Sequence, residues 1–182
     1  AAGNVETSQI ITDALFGAAG ALAASQGTMN NLTFGDEARQ YYETLGGGTG
    51  AGPGFGGASA VHSHMTNTRL TDVEVLESRY PVVVEAFGVR PSSGGAGRWR
   101  GGDGLVRRLR FREPLHFALL SGRRTVAPHG LAGGDPAAPG RAWIERADGS
   151  RLPLAGCCDS ELGTGDALVI ETPGGGGYGP RR

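Results

Sequence analysis

The sequence predicts an α+β fold: an N-terminal helix and glycine-rich loops, followed by a mainly antiparallel β-sheet built as a sandwich or barrel. Three observations predict it. Apolar residues recur at three- and four-residue steps only near the start of the chain. Strand-length apolar runs bounded by turn residues fill the part after Pro81. Glycine, 34 residues of 182, punctuates both parts without a Gly-X-Y period, which excludes collagen.

The helix is expected from Val5 to Ser25. Ile11, Ala14, Leu15, Ala18 and Leu22 form its apolar stripe, Asn4 is its N-cap, Glu6 complements the dipole and Gln26-Gly27 stops it. Gly17 to Ala21 are all glycine or alanine, so the stripe is expected to pack close to another element. Residues 27–45 read as mixed strand and turn, and residues 46–57 as a glycine loop. Thr71-Asp72-Val73-Glu74 has capping-box form, with the Thr71 hydroxyl as cap, and starts a short helix from Asp72 to Ser78 that Pro81 ends. Strands are expected at residues 82–87, 105–111, 116–120, 143–145 and 167–171, with Asp148-Gly149 as a hairpin turn. Two regions follow: residues 1–80, a helix with a site-like segment, and residues 81–182, a β-rich domain.

Composition narrows the function. The length allows one domain with a real core, or one domain with an extended arm. A net charge of −1 draws the chain to neither nucleic acid nor a membrane surface, and no run reaches the roughly 18 apolar residues of a membrane span. All 17 basic residues are arginine, which excludes a P-loop lysine, a Schiff-base lysine and a lysine general base. A phosphoryl group would therefore be held by arginine or backbone N–H groups. Cys157 and Cys158, adjacent and without other cysteines, read as a reduced pair in a cytoplasmic protein. The start, Ala1-Ala2-Gly3-Asn4, reads as a cut into a longer protein, so the chain is expected to be a C-terminal fragment.

The segment from Gly54 to Arg69 concentrates chemistry. A glycine run leads into His62-Ser63-His64-Met65-Thr66-Asn67-Thr68-Arg69, which brings two imidazoles, an amide, hydroxyls and a guanidinium together. Alternation along an extended chain would place His62 and His64 on one face. This segment, with Gly3-Asn4-Val5-Glu6-Thr7-Ser8-Gln9, Gly27-Thr28-Met29-Asn30-Asn31, Tyr42-Glu43-Thr44, Gly97-Arg98-Trp99-Arg100-Gly101-Gly102-Asp103-Gly104, Gly130-Leu131-Ala132-Gly133-Gly134 and Thr172-Pro173-Gly174-Gly175-Gly176-Gly177-Tyr178-Gly179, resembles the hydantoinase B/5-oxoprolinase family. Each motif alone is weak, and their order from end to end is specific. The resemblance implies the C-terminal portion of the B-type subunit or region of an ATP-dependent amidohydrolase, opening a cyclic amide such as 5-oxoproline or a hydantoin. It implies an A-type partner that binds ATP and phosphorylates the carbonyl oxygen, while the B-type region completes hydrolysis. ATP and a divalent metal such as Mg are implied for the complete enzyme, with metal-site motifs upstream of these residues. The isolated chain is then expected to be inactive and to form homo- or hetero-oligomers. The alternative is a structural or assembly module of a related complex, ketone carboxylases included, with the chemistry elsewhere.

His62 and His64 are the catalytic candidates, as general base and acid, since a neutral imidazole moves protons near pH 7. Either could instead satisfy a buried carbonyl. An i,i+2 metal pair needs further ligands, as does a cupin-type site, and His116 and His129 are the remaining histidines. Asn67, Thr68 and Arg69 suit a carboxylate or phosphate, or equally a capped turn. Asn30 and Asn31 suit a polar lactam, or left-handed turns. The loops at residues 46–57 and 174–177 read as anion-binding nests or, more simply, as closely packed backbone. Arg107, Arg108, Arg110 and Arg112 read as a strand with a solvated or subunit-facing edge, and Ser121-Gly122-Arg123-Arg124 stays open. No Gly-x-Ser-x-Gly elbow is present.

Overall fold

The computed structural model describes residues 3–181, with side chains of the first helix described from Glu6 onward. That helix, α1 (Gly3–Ala18), is shorter than expected at its C-terminal end. Gly20, at φ 68°, takes the left-handed conformation that closes a helix, and Ala21 N–H returns to the Phe16 carbonyl at 3.0 Å. The capping role expected of Asn4 lies outside the described side chains.

Nine strands follow in two antiparallel sheets. The first sheet orders β2 (Gln40–Thr44), β1 (Asn31–Gly35), β5 (Leu115–Leu120) and β8 (Cys157–Leu162). The second orders β3 (Val82–Arg90), β4 (Gly104–Phe111), β9 (Ala167–Glu171), β6 (Arg141–Glu145) and β7 (Arg151–Leu154). The sheets face one another as a sandwich, not a closed barrel, with strands from both sides of residue 80 paired in the first. Phe34, Leu45, Phe117, Leu119 and Leu162 from the first sheet's side meet Leu109, Phe111, Ile144, Leu168 and Ile170 of the second. Strand period 2 makes this possible: β4 buries Leu105, Arg107, Leu109 and Phe111 while Arg108 and Arg110 turn outward to Glu85.

The same period carries Arg107 into the core, where a solvated edge was expected. Its guanidinium donates to Glu43 Oε1 and Oε2 at 3.2 and 3.1 Å and lies 4.8 Å from the Phe87 ring centre. Tyr41 donates to Glu43 as well, at 2.9 Å, and burial pushes the Tyr41 phenol up to about 12. The pair thus joins β2 to β4 across the sandwich.

Helix α2 (Val73–Arg79) is capped by Asp72, not Thr71: Asp72 Oδ1 accepts from the N–H groups of Glu74 and Val75 at 3.0 and 3.4 Å. A carboxylate caps as well as a hydroxyl, and the start shifts by one residue. Leu76 of α2 is buried against the core. The hairpin between β6 and β7 turns at Asp148-Gly149 as expected, with Gly149 at φ 86°. Strands β7 and β8 carry no strand signal in the sequence. β8 is an edge strand in which only Leu162 is fully buried, so no apolar alternation marks it.

The glycine loops form a second packed region, made of backbone. Gly48 N–H donates to Pro173 O at 3.0 Å, Ala51 N–H to Gly176 O at 2.9 Å, and Gly175 N–H to Gly102 O at 2.9 Å. A Cβ on Gly175 would collide with the Thr49 carbonyl, and one on Gly50 with that of Ala23. Close backbone approach is therefore why these positions are glycine. All four N–H groups of residues 174–177, and those of Gly47, Gly48, Thr49, Ala51, Gly52, Phe55 and Gly57 in the other loop, are hydrogen-bonded to backbone carbonyls, which favours packed backbone over an anion nest.

Candidate active site

α1 packs inside-out. Gln9 and Asp13 are 0% and 2% exposed, whereas Ile11 and Leu15 of the expected apolar stripe are 52% and 66% exposed. Ala14 and Ala18 are exposed too. The buried face is the polar one, with Glu6, Gln9 and Asp13 at steps of three and four residues.

Each of those residues organises a different backbone segment. Glu6 Oε1 accepts from the Thr28 hydroxyl at 2.9 Å and from Met29 N–H at 3.1 Å. The Gln9 amide donates to the Ser63 carbonyl and the Thr66 hydroxyl at 3.0 and 3.1 Å, and accepts from Met65 N–H at 3.2 Å. Asp13 Oδ1 accepts from Ser25 N–H at 2.9 Å and lies 3.0 Å from His64 Nε2, while its Oδ2 accepts from the Ser25 hydroxyl at 3.1 Å. Arg123 Nη2 stands 3.7 Å from Asp13 Oδ2.

His64 sits in a turn, closed by Thr66 N–H to the Ser63 carbonyl at 3.1 Å, with His64 itself at φ 56°. The extended segment expected here is absent, and so is the alternation that would have aligned the two imidazoles. The His64 side chain is 9% exposed and packs on the Phe16 ring at 5.7 Å. A carboxylate only accepts, so Nε2 carries the shared hydrogen and the lone pair of neutral His64 falls on Nδ1.

His62 has separate partners. Its Nε2 lies 3.3 Å from the Thr68 hydroxyl, which also contacts the Thr44 hydroxyl, and its buried Nδ1 makes no hydrogen bond of good geometry. Burial pulls the His62 pKa below its ordinary value, the Thr44 backbone opposing in part. Asn30 is buried at φ 47°; it donates to Gln26 Oε1 at 2.8 Å and to the Leu45 carbonyl at 3.3 Å, leaving Oδ1 without a partner. Asn31 faces outward and accepts from the Tyr42 hydroxyl at 2.8 Å. Asn67 and Arg69 are exposed and make no polar contact among the described residues. The structure thus joins His64 to α1 and keeps Asn31, Asn67 and Arg69 outside that network. Glu6, Gln9 and Asp13 escaped the sequence reading as site residues, their signal being a polar stripe at helical spacing; Arg123 was left open there.

The implied divalent metal finds no donor set here. Among the described residues no three His, Cys, Asp or Glu side chains are close enough to hold one. Cys157 and Cys158 are free thiols on an edge strand, and burial raises the Cys158 pKa. No described helix is long and apolar enough to cross a membrane.

The family model described as hydantoinase B/oxoprolinase matches residues 1–181. The chain belongs to that family. Within the hydantoinase B/oxoprolinase family it is 50% identical over 179 residues to a 5-oxoprolinase of Dictyostelium discoideum, covering 98% of this chain and 14% of that protein. It is 51% identical over 177 residues to 5-oxoprolinase 1 of Arabidopsis thaliana, covering 97% of this chain and again 14% of the relative. The chain therefore spans about one seventh of these relatives' length. The ATP-dependent caprolactamase of Pseudomonas jessenii shares the fold at a TM-score of 0.76 and 22% identity, over 88% of this chain and 30% of that one. An acetone carboxylase in its nucleotide-free structure superposes at 0.69 and 20% identity, over 87% of this chain and 26% of that one.

Proposed function

We propose that this chain is the part of an ATP-dependent cyclic amide hydrolase that completes ring opening after the carbonyl has been activated, with 5-oxoproline or a hydantoin as substrate. The observation that carries the reading is the His64–Asp13 pair, 3.0 Å apart with both side chains nearly buried. A helix that buries carboxylate and amide while exposing isoleucine and leucine is costly unless the polar face serves a site. In this reading His64 transfers the proton through Nδ1, Asp13 orients the ring and stabilises the imidazolium, and Gln9 fixes the turn that presents His64. His62, Thr68 and Asn30 lie on the adjoining segments and contribute to substrate binding; Asn31, Asn67 and Arg69 do so only where another part of the enzyme closes over them. Relatives named 5-oxoprolinase at about 50% identity support the substrate class.

ATP binding and activation belong to an A-type region or subunit in this reading, which the absence of lysine and the hydrogen-bonded amides of residues 174–177 support. Any divalent metal belongs there or to upstream residues, for want of ligands here. The chain alone is inactive in this reading, and it works in the cytoplasm, where its two free thiols stay reduced. An assembly role is favoured in addition by one observation: the exposed apolar face of α1, with Ile10, Ile11, Leu15 and Phe16.

The test is His64→Ala in the enzyme assembled with its A-type region, assayed for ATP-dependent ring opening. Turnover should fall by roughly 10²- to 10⁴-fold with the thermal melt little changed. Normal turnover in that variant would sink the catalytic reading and leave the assembly role.

A further inference from the structure

We infer that Arg123 is an oxyanion-binding residue beside the His64–Asp13 pair, taking a carboxylate or phosphoryl group of the ligand.

Arg123 is held in a backbone conformation that is uncommon for a residue with a Cβ. Its φ is 54°, in the left-handed region that disfavours side chains with a Cβ. The backbone is pinned on both sides: Gly122 N–H donates to the Thr28 hydroxyl at 2.8 Å, and Gly140 N–H donates to the Arg123 carbonyl at 2.9 Å. Strained backbone held by its surroundings is characteristic of ligand clamps.

The guanidinium is ion-paired with Asp13, but its N–H donors are not hydrogen-bonded. It stands 3.7 Å from Asp13 Oδ2, too far for a hydrogen bond, and donates to no acceptor among the described residues. Its side chain is 17% exposed. The hydrogen-bonding sites of Asp13 are filled by Ser25 N–H, the Ser25 hydroxyl and His64, so Arg123 supplies it with charge and keeps its own donors available. Gly27 makes room for it: a Cβ there would lie 2.7 Å from Arg123 Nε and 3.0 Å from Asp13 Oδ2.

A planar fork of unused donors beside a proton-transfer pair suits an oxyanion, which accepts two parallel N–H bonds. A carboxylate and a phosphoryl group share that chemistry. Arg69, the arginine singled out by sequence, lacks any such placement, being exposed and unsupported. The assignment deepens the hydrolase reading by naming what recognises the anionic part of its ligand, and it rests on that reading only for the ligand's role.

The test titrates the chain with inorganic phosphate and, separately, with acetate, following the His64 ring resonances by NMR. Saturable shifts are expected with at least one of the two anions. Phosphate alone would assign the site to a phosphoryl group, acetate alone to a carboxylate. Arg123→Gln should weaken the responding anion about tenfold or more, while Arg112→Gln, at an exposed arginine without a site role, leaves it unchanged. No saturable shift in the unaltered chain, or equal affinity in folded Arg123→Gln, would overturn the assignment. Should Arg123→Gln fail to fold, Arg123→Lys decides, since an ammonium lacks the fork; unchanged affinity there overturns it equally. Binding is read without turnover, so intact phosphate binding in an enzyme that opens no ring would refute the hydrolase reading and leave the anion site standing.

Discussion

Along β4, Leu105, Leu109 and Phe111 point inward while Arg108 and Arg110 face outward; along α1 the arrangement is reversed, with Gln9 and Asp13 inside and Ile11 and Leu15 outside. Both regions bury charge, but for different ends. Arg107 and Glu43 form a closed pair between the sheets, with Tyr41 as the added donor. Asp13 instead ties α1 to two segments and leaves an imidazole and a guanidinium beside it. The difference teaches that a polar face turned inward has to be read from its partners. Where a buried ion pair bridges two sheets and is enclosed by them, as Arg107 and Glu43 are even with Arg107 Nη1 left unbonded among the described residues, the pair is architecture. Where the partners include a histidine in a left-handed turn, a catalytic role is what we propose, and the predictions below test it.

The largest expected effect breaks the α1 side. Asp13→Asn keeps the shape but lets the side chain donate to His64, which favours the wrong tautomer, and turnover in the assembled enzyme should fall by about 10²- to 10⁴-fold. A displaced pH–rate profile would mark Asp13 as a positioning residue; a lower melt with an unchanged profile would make it structural like Glu43.

Next comes the sandwich pair. Glu43→Gln leaves Arg107 buried without its counter-charge and should cost about 3–5 kcal/mol in urea unfolding, the usual range for breaking a buried pair. Turnover per folded molecule should hold. Equal loss of activity would erase the distinction between the two regions.

The outward face of α1 should be nearly silent for stability. Ile11→Ser with Leu15→Ser should change unfolding by no more than about 0.5 kcal/mol, as surface substitutions do, yet reduce self-association in sedimentation. A loss in the core range of about 2–5 kcal/mol would mean that the face is covered.

The smallest effect concerns His62. Its folded pKa is depressed by burial, so the unfolded chain takes up its proton first as pH falls. Stability from this group is complete above the unfolded value of about 6.5 and declines as pH falls toward the folded pKa. His62→Gln should flatten that slope in melts recorded from pH 7 to 5, and an unaltered slope would place the titration elsewhere.

How much of this was legible follows from which signals are local. Strands β3, β4, β5, β6 and β9, the Asp148-Gly149 turn and helix α2 announce themselves through period and turn chemistry that neighbouring residues enforce. Edge strand β8 does not, because one sheet neighbour and a half-exposed face impose no apolar alternation. His64 was visible as a chemical group. Its partner was not, since residues 13 and 64 meet only when α1 folds across the turn at residues 63–66. The period of α1 was right, but applied to apolar residues alone it pointed to the wrong face.

The sequence by itself determined the α+β class, the positions of most strands, the need for glycine in the loops and the absence of any lysine chemistry, because these depend on residue type and on steps of two or three to four along the chain. Only the tertiary structure decided which face of α1 is buried, that Arg107 lies within the core, that most glycine-loop amides donate to backbone carbonyls, and that Asp13, His64 and Arg123 come together. Those outcomes depend on which segments meet across 50 or more positions of chain, as Asp13 and His64 do, and no local pattern encodes such a meeting.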